Sequence, residues 1–432
     1  MKALIIKALI IAAILFLLPQ AAIFSADIYD LCYRAEPLSY GRLLFLRYKN
    51  PLLDPVLRSY ELFLFDPVAG TLSSLQKYSE KLYILPAVSR DGTTVSYHSL
   101  IEGSDFLTTK NIEIGKSIRL RFDTGGYFVS IGIDYDNDRV AASVKRGENR
   151  QGIYLISSRA STISRIYNGK DFEEVGFLYN GNVYYIDNVE GERVLGIVYT
   201  GTQEHYTAAH GVGYVQKAPN GNAIIYSKGK QLYLFRAQGR ESIRISENFD
   251  RRRTLPIFSP DGSTFAVFEE RTVYIVNIPS GDIFYYLSID TEGTRSLLTN
   301  YTYYAAKDNK LFALKHKQPG QSLTEILEDK SGFELLAVSP NDRYIVYRNA
   351  NPKEITVYDA KQKKYYRKLF GFSVEKVLYT MPDENIYIIA RTTDPAVGAP
   401  IRELYLYNFL KESIFPISTA ANVDFKPYLR RE

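Results

Sequence analysis

The chain has four histidines, His98, His205, His210 and His316, and two of them share the segment EHYTAAH beside Glu204. Imidazole and carboxylate are zinc-ligating groups. A zinc site, however, needs three or four convergent donors, and a helical pair needs i, i+4 spacing. His205 and His210 are five residues apart, so an incidental pair on a strand or loop is expected. The segment DYDND, Asp134 to Asp138, opens like a calcium loop. Such a loop requires a glycine where Arg139 stands and a bidentate glutamate where Lys145 stands. A turn explains the segment without an ion. No Gly-x-Ser-x-Gly pentapeptide occurs, which removes the nucleophile elbow of an appended serine-hydrolase domain. No phosphate loop or dinucleotide fingerprint is present either. The sequence therefore assigns no catalytic, cofactor-binding or metal-ligating residue, and it implies no cofactor.

Two further groups bear on binding. Arg251 to Arg253 is a short basic run diluted by Glu247 and Asp250, and a solvated loop is expected there. Tyr301 with Tyr303 and Tyr304, and Tyr365 with Tyr366, are tyrosine clusters. Tyrosine is amphipathic and suits a binding face, yet it is also ordinary strand filler, which is the expectation here. The net charge of +5 arises from 53 basic and 48 acidic residues. That excess is too small to suggest nucleic acid.

The elements that must carry these residues follow from a repeat. In FSPDGSTFAVF, Phe258 to Phe268, Pro260 presets φ, Asp261 can cap its own turn and Gly262 accepts positive φ. A run of strand-forming residues follows. Related segments are VSRDGTTVSYH from Val88, IDYDNDRVAAS from Ile133, APNGNAIIYS from Ala218, VSPNDRYIVY from Val338 and MPDENIYIIA from Met381. Weaker copies begin at Tyr40, Tyr179 and Asn300. Anchored at positions 40, 91, 136, 179, 220, 261, 300, 341 and 383, the turns recur every 39 to 51 residues. Such a period marks four-stranded propeller blades. One unit reads as Phe265–Phe268, Thr272–Ile278, Ile283–Ile289 and RSLLTNY, beginning at the turn. No later segment has helical periodicity. The abundance of strand formers, 36 Tyr and 23 Phe without Trp, agrees.

The expected fold is therefore all-β: a single β-propeller over residues 27–432 with four-stranded antiparallel blades. The repeat gives nine units and common propellers have four to eight blades, so eight, plus or minus one, are expected. Either a weak unit is an insertion, or ANVDFKP at Ala421–Pro427 completes a blade begun near the N-terminus. The SPDG-strand units, clearest at Ser89–Gly92, Ser259–Gly262 and Ser339–Asp342, resemble the TolB-type propeller repeats of bacterial periplasmic proteins. The resemblance spans nearly the whole chain after residue 26, without the separate N-terminal α/β domain of TolB. It implies a bacterial cell-envelope propeller.

The N-terminus reads differently. Lys2 and Lys7 precede an eleven-residue apolar run, Ala8 to Leu18, and then small residues from Ala21 to Ala26. This is the pattern of an export signal over residues 1–26, too short for a membrane span. Cleavage is expected after Ser25 or Ala26. Cys32 is the only cysteine, so no intrachain disulfide forms and a small buried residue is expected there. A periplasmic, secreted or surface location follows.

Two functions are compatible with these features. One is a non-catalytic scaffold that binds another envelope protein or peptide, with no nucleic-acid partner and no stable membrane span after signal cleavage. The alternative is a small-ligand or enzymatic propeller of lyase or glycosidase type. Its site would be at the central channel, lined from the first strand of each unit around positions such as His98, Glu269 and Arg348.

Overall fold

The computed structural model describes residues 29–417 except 31–33, 38–41, 49–59, 68, 70, 79–85, 90–91, 102–103, 122–126, 135–138, 147–149, 158–161, 252–254, 270–271, 289–294, 317–322, 380–383 and 394–399. The expected signal, Cys32, the closing strand at 421–427 and several turn anchors, including Asp91, Asp136 and Asp383, lie outside the described residues. No helix occurs among the described residues.

The strands form nine sheets in chain order. Sheets 1 to 8, over residues 34–78, 87–121, 127–169, 172–210, 212–246, 257–288, 295–328 and 334–369, have four antiparallel strands each, taken consecutively along the chain. Sheet 4, for example, comprises Phe172–Phe177, Val183–Val189, Glu192–Val198 and His205–His210. Sheet 9 uses Ser373–Leu378, Asn385–Thr393, Pro400–Asn408 and Ser413–Pro416, and the N-terminal pair Tyr29–Asp30 joins it in parallel alongside Ile401 and Arg402. The nine units of the sequence thus all become sheets, at the upper end of the expected count. Sheet 9 takes its four antiparallel strands from one stretch of chain, and the N-terminus adds a fifth.

The phase of the unit needs correction. Each repeated turn lies between the first and second strands of its sheet, not before the first. Arg295–Leu298, within RSLLTNY, pairs with Thr302–Lys307 and so opens sheet 7 rather than closing sheet 6. The first strands of neighbouring sheets adjoin each other, as Tyr127–Ile133 adjoins Phe172–Phe177. The fourth strands lie outermost. Lys364–Leu369, the fourth strand of sheet 8, has no fully buried residue, whereas Thr264–Glu269, a second strand, is buried along nearly its whole length.

That burial explains the composition. A second strand is covered by neighbouring sheets on both faces, so TFAVFE needs no polar alternation. Nine apolar clusters fill the joints between successive sheets, among them Ile225, Leu234, Phe265 and Val267 between sheets 5 and 6. The ninth joins Leu43, Phe45, Phe63 and Phe65 of sheet 1 to Tyr387, Leu404, Leu406 and Phe415 of sheet 9. There Phe65 meets Tyr387 edge to face, with centroids 6.1 Å apart. The ring therefore closes. Each buried aliphatic or aromatic side chain contributes about 1.5–3 kcal/mol, so a single blade gains little until both neighbours are in place.

Candidate functional site

The repeated turns are the first place to look for chemistry, and their polar groups are spent on structure. Ser259 Oγ accepts the Thr264 N–H at 3.0 Å and donates to Asp261 Oδ1 at 2.7 Å. Asp261 Oδ1 accepts the Ser263 N–H at 3.0 Å. Gly262 sits at φ +66°, and a Cβ there would come within 2.7 Å of the Asn220 backbone nitrogen in sheet 5. The turns also join neighbouring sheets. Tyr179 N donates to Gly221 O at 3.0 Å, Asp261 N to Asn300 Oδ1 at 2.8 Å, and Thr302 Oγ1 to Asp342 Oδ2 at 2.8 Å. The same motif thus makes the tight connection and latches one blade to the next. Sequence reasoning found only the first role, because the latch partners lie about one repeat away.

The three positions considered for a channel site lie on second strands rather than on the first strands that adjoin around the ring. Arg348 gives Nε and Nη2 to the Glu334 carboxylate at 2.6 and 3.0 Å, and Nη1 to Val374 O. Glu269 accepts the Asn248 N–H at 2.9 Å. His98 packs against Phe128, with centroids 5.4 Å apart. The structure does not bring these residues together. Asp134 is buried, and its carboxylate takes the Arg139 N–H at 3.1 Å and Nε at 2.8 Å. The rest of DYDND lies outside the described residues. Arg251 lies over the Tyr214 ring, 5.8 Å from its centroid; Arg252 and Arg253 lie outside the described residues. Tyr303 and Tyr304 are buried filler, while Tyr301 and Tyr365 are exposed.

EHYTAAH forms part of the candidate site. His205–His210 is the fourth strand of sheet 4, paired with Glu192–Val198. Strand side chains alternate, so residues five apart should face opposite ways. A bulge opposite Leu195 and Gly196 shifts the register, pairing Val198 with His205, Gly196 with Thr207, and Val194 with His210. Both histidines then share one face. On that face Tyr185 lies opposite Gly196, and Asp187 opposite Val194. The hairpin tip supplies Glu190 and Glu192, and Tyr167 reaches over from the fourth strand of sheet 3, Thr162–Gly169. Together these residues line an open pocket of about 430 Å³.

One wall of the pocket is aromatic. Tyr167 stacks on Tyr185 at 4.8 Å and on His205 at 4.7 Å. Gly196 makes room for this arrangement. A Cβ on it would lie 2.1 Å from Tyr185 Cζ and 2.2 Å from its Oη. Tyr185 is 1% exposed, and its hydroxyl has only the Tyr167 hydroxyl beside it, in poor hydrogen-bond geometry. Burial first, then the adjacent Tyr167 hydroxyl and the Asp187 carboxylate, push its pKa far up, so the phenol stays protonated. The end of the pocket toward the hairpin tip is acidic. Asp187 is 2% exposed and accepts the Asp171 N–H at 2.7 Å and the Lys170 N–H at 3.2 Å. Glu190 takes left-handed backbone, φ 58°, at the hairpin tip, and its carboxylate meets Lys170 Nζ at 2.9 Å. Glu192 Oε2 lies 3.5 Å from His210 Nδ1. Packing against the aromatic rings lowers the His205 pKa by partial burial, favouring the neutral imidazole. No cluster of three or more His, Cys, Asp or Glu suited to a metal ion occurs among the described residues.

No family model matches the sequence. No curated protein matches it in sequence. Solved structures share the fold. The chain is similar to a eukaryotic initiation factor at 12% identity and TM-score 0.54, covering 83% of this chain and 94% of that one. It also aligns with TolB from Acinetobacter baumannii at 15% identity and TM-score 0.38, covering 56% of this chain and 62% of TolB. A third alignment is with the Cps50 (Swd1) β-propeller domain of Myceliophteria thermophila, at 11% identity and TM-score 0.35, covering 75% and 96%. The chain thus spans less than two thirds of the TolB structure. These similarities concern the fold alone.

Proposed function

We propose that this protein is an exported, non-catalytic propeller of the bacterial cell envelope that serves as a scaffold for another envelope protein or peptide. The observation that carries the reading is the closed, turn-latched ring. Sheet 1 packs on sheet 9, and hydrogen bonds link turns of successive sheets. A surface built this way stays fixed in shape, which lowers the entropic cost of binding a partner. The charged, apolar and small-residue order of the first 26 residues supports export. The SPDG units support membership of the TolB-like, PD-G repeat group.

The test has two arms. N-terminal sequencing of the protein from fractionated cells should find a start near Ala26 or Asp27 in the periplasmic or surface fraction. A cytoplasmic protein that retains the first 26 residues overturns export. Crosslinking in intact cells followed by mass spectrometry should return one reproducible envelope partner. None across several growth conditions overturns the scaffold.

A further inference from the structure

We propose that the sheet 4 pocket receives the cationic side chain, lysine or arginine, of an extended segment of the partner. The inference rests on the scaffold reading and adds the partner's chemistry.

Three features of the pocket converge on a cation. The half-buried Tyr167 ring, stacked on the buried Tyr185 and on the exposed His205, presents an electron-rich face, which attracts an ammonium or guanidinium within about 6 Å. Asp187, Glu190 and Glu192 line the same cavity. Lys170 offsets Glu190, and Asp187 and Glu192 then leave the carboxylates of the cavity in excess. An anionic ligand would meet that charge unfavourably. The third feature is independent of charge. The Tyr185 hydroxyl is buried behind the pocket wall with only the Tyr167 hydroxyl beside it. Buried polar groups are almost always paired, and this oxygen can accept an N–H from an entering cation. The site also favours a peptide over a free amine. His205–His210 ends the strand order of its sheet, so an extended chain can run beside it and place alternate side chains over the pocket.

The probe is a fluorescein-labelled peptide, Gly-Ser-Lys-Gly-Ser-Lys-Gly-Ser, and the control carries Gln at both Lys positions. Anisotropy with the purified protein is read at roughly 0.15 M salt, where diffuse charge attraction is screened. The lysine peptide should bind about tenfold tighter than the control, a margin of one decade in affinity. Glu190→Gln with Glu192→Gln should remove most of that preference. Tyr185→Phe should weaken lysine binding about threefold, the loss of one hydrogen bond. Should Tyr185→Phe fail to fold, the two glutamate variants, on exposed side chains at the rim, still decide the matter. Glu247→Gln, just beyond the last strand of sheet 5, should leave binding unchanged.

Equal affinity for the two peptides overturns the proposal. So does a Glu247→Gln loss as large as that of the pocket variants, because the attraction is then diffuse. Cadaverine competing as well as the lysine peptide at equal cation concentration overturns the peptide assignment. Crosslinking in cells with the double glutamine variant separates this proposal from the scaffold reading. A partner lost only in that variant supports both. A partner kept, with no lysine preference in vitro, removes the pocket assignment and leaves the scaffold. No partner with either protein removes the scaffold, and the peptide comparison still decides the pocket.

Discussion

In sheet 5, Tyr226 faces Tyr233 across the ladder, ring on ring at 5.2 Å and 11°. In sheet 4 the equivalent Tyr185 faces Gly196. The turn hydrogen bonds Leu178 N to Asn182 O and Ala218 N to Ala223 O fix the equivalence, with each tyrosine three residues beyond the acceptor. Counted in the same way, sheets 2, 3, 6, 7 and 8 put Thr108, Tyr154, Tyr274, Phe312 and Thr356 at the Gly196 place. Sheet 4 alone of these seven has no side chain there. Tyr185 leans into the vacant space and meets Tyr167 and His205. Two residues further along the strand the sheets differ again, Asp187 in one and the exposed Lys228 in the other. Positions that recur around the ring build it. A position where one sheet departs from the others reshapes its surface.

The strongest way to break the comparison is at Asp187. Its carboxylate takes two backbone N–H groups, and Asp187→Ala leaves both without that acceptor. We expect a loss of about 3 kcal/mol in urea unfolding. Lys228→Ala, at the matching place in sheet 5, should change stability by less than about 0.5 kcal/mol. Similar losses at both positions would show that Asp187 is no more embedded than a surface residue.

Gly196 sharpens the comparison. Gly196→Ala forces its Cβ into the Tyr185 ring and should cost about 1–3 kcal/mol, the range for overpacking. In a Tyr185→Ala background the same change should cost much less. A double-mutant cycle should give a coupling of about 1 kcal/mol or more between the two sites. Additive costs would mean that the glycine serves the strand alone and not the tyrosine.

These two residues also show why sequence revealed the ring but not the pocket. The Ser-Pro-Asp-Gly turn at 259 is a local device, and its recurrence as Ser-Pro-Asn-Asp at 339 and Ser-Arg-Asp-Gly at 89 needs no knowledge of neighbours. The phase of the blade was not legible, because a strand that opens one sheet and a strand that closes another carry the same alternation. The latch from Asp261 to Asn300 was hidden for a related reason, since the pairing crosses sheets. The pocket depends on three non-local events: Tyr185 opposite Gly196, a bulge that turns His205 and His210 to one face, and Tyr167 arriving from sheet 3. A glycine inside a strand does hint at a bulge or a close approach. Aligning the second and third strands of every unit would have singled out Gly196. EHYTAAH, read by itself, had the wrong interval for a shared face until the bulge corrected it.

Two tyrosine-to-phenylalanine changes test the buried Tyr185 hydroxyl more gently. Tyr226 keeps its hydroxyl near Ser242, and Tyr226→Phe should cost about 1 kcal/mol, the usual worth of one hydrogen bond. Tyr185→Phe removes a buried oxygen that has only the Tyr167 hydroxyl beside it, in poor hydrogen-bond geometry, so it should cost less than Tyr226→Phe. A loss at Tyr185 equal to that at Tyr226 would show that its hydroxyl is paired in solution.

The smallest expected effect is a pH dependence confined to sheet 4. His205 packs against Tyr167 and Tyr185, with Asp187 and Thr207 on the same face, and Ser242 at the matching place in sheet 5 does not titrate. Partial burial lowers the His205 pKa from its ordinary 6.5, so the unfolded chain binds the proton more readily than the folded one. The stabilising contribution of the neutral ring is complete above pH 6.5. It falls as pH drops below that value and levels off beneath the lower folded-state pKa. His205 is exposed as a residue, so the difference should amount to only a few tenths of a kcal/mol. His205→Phe keeps an aromatic ring on Tyr167 and removes the titration. Between about pH 7.5 and 5.5 the natural protein should therefore lose slightly more stability than the variant. The same slope in both would mean that His205 is as fully hydrated as an ordinary surface histidine, and that the aromatic wall opens in solution.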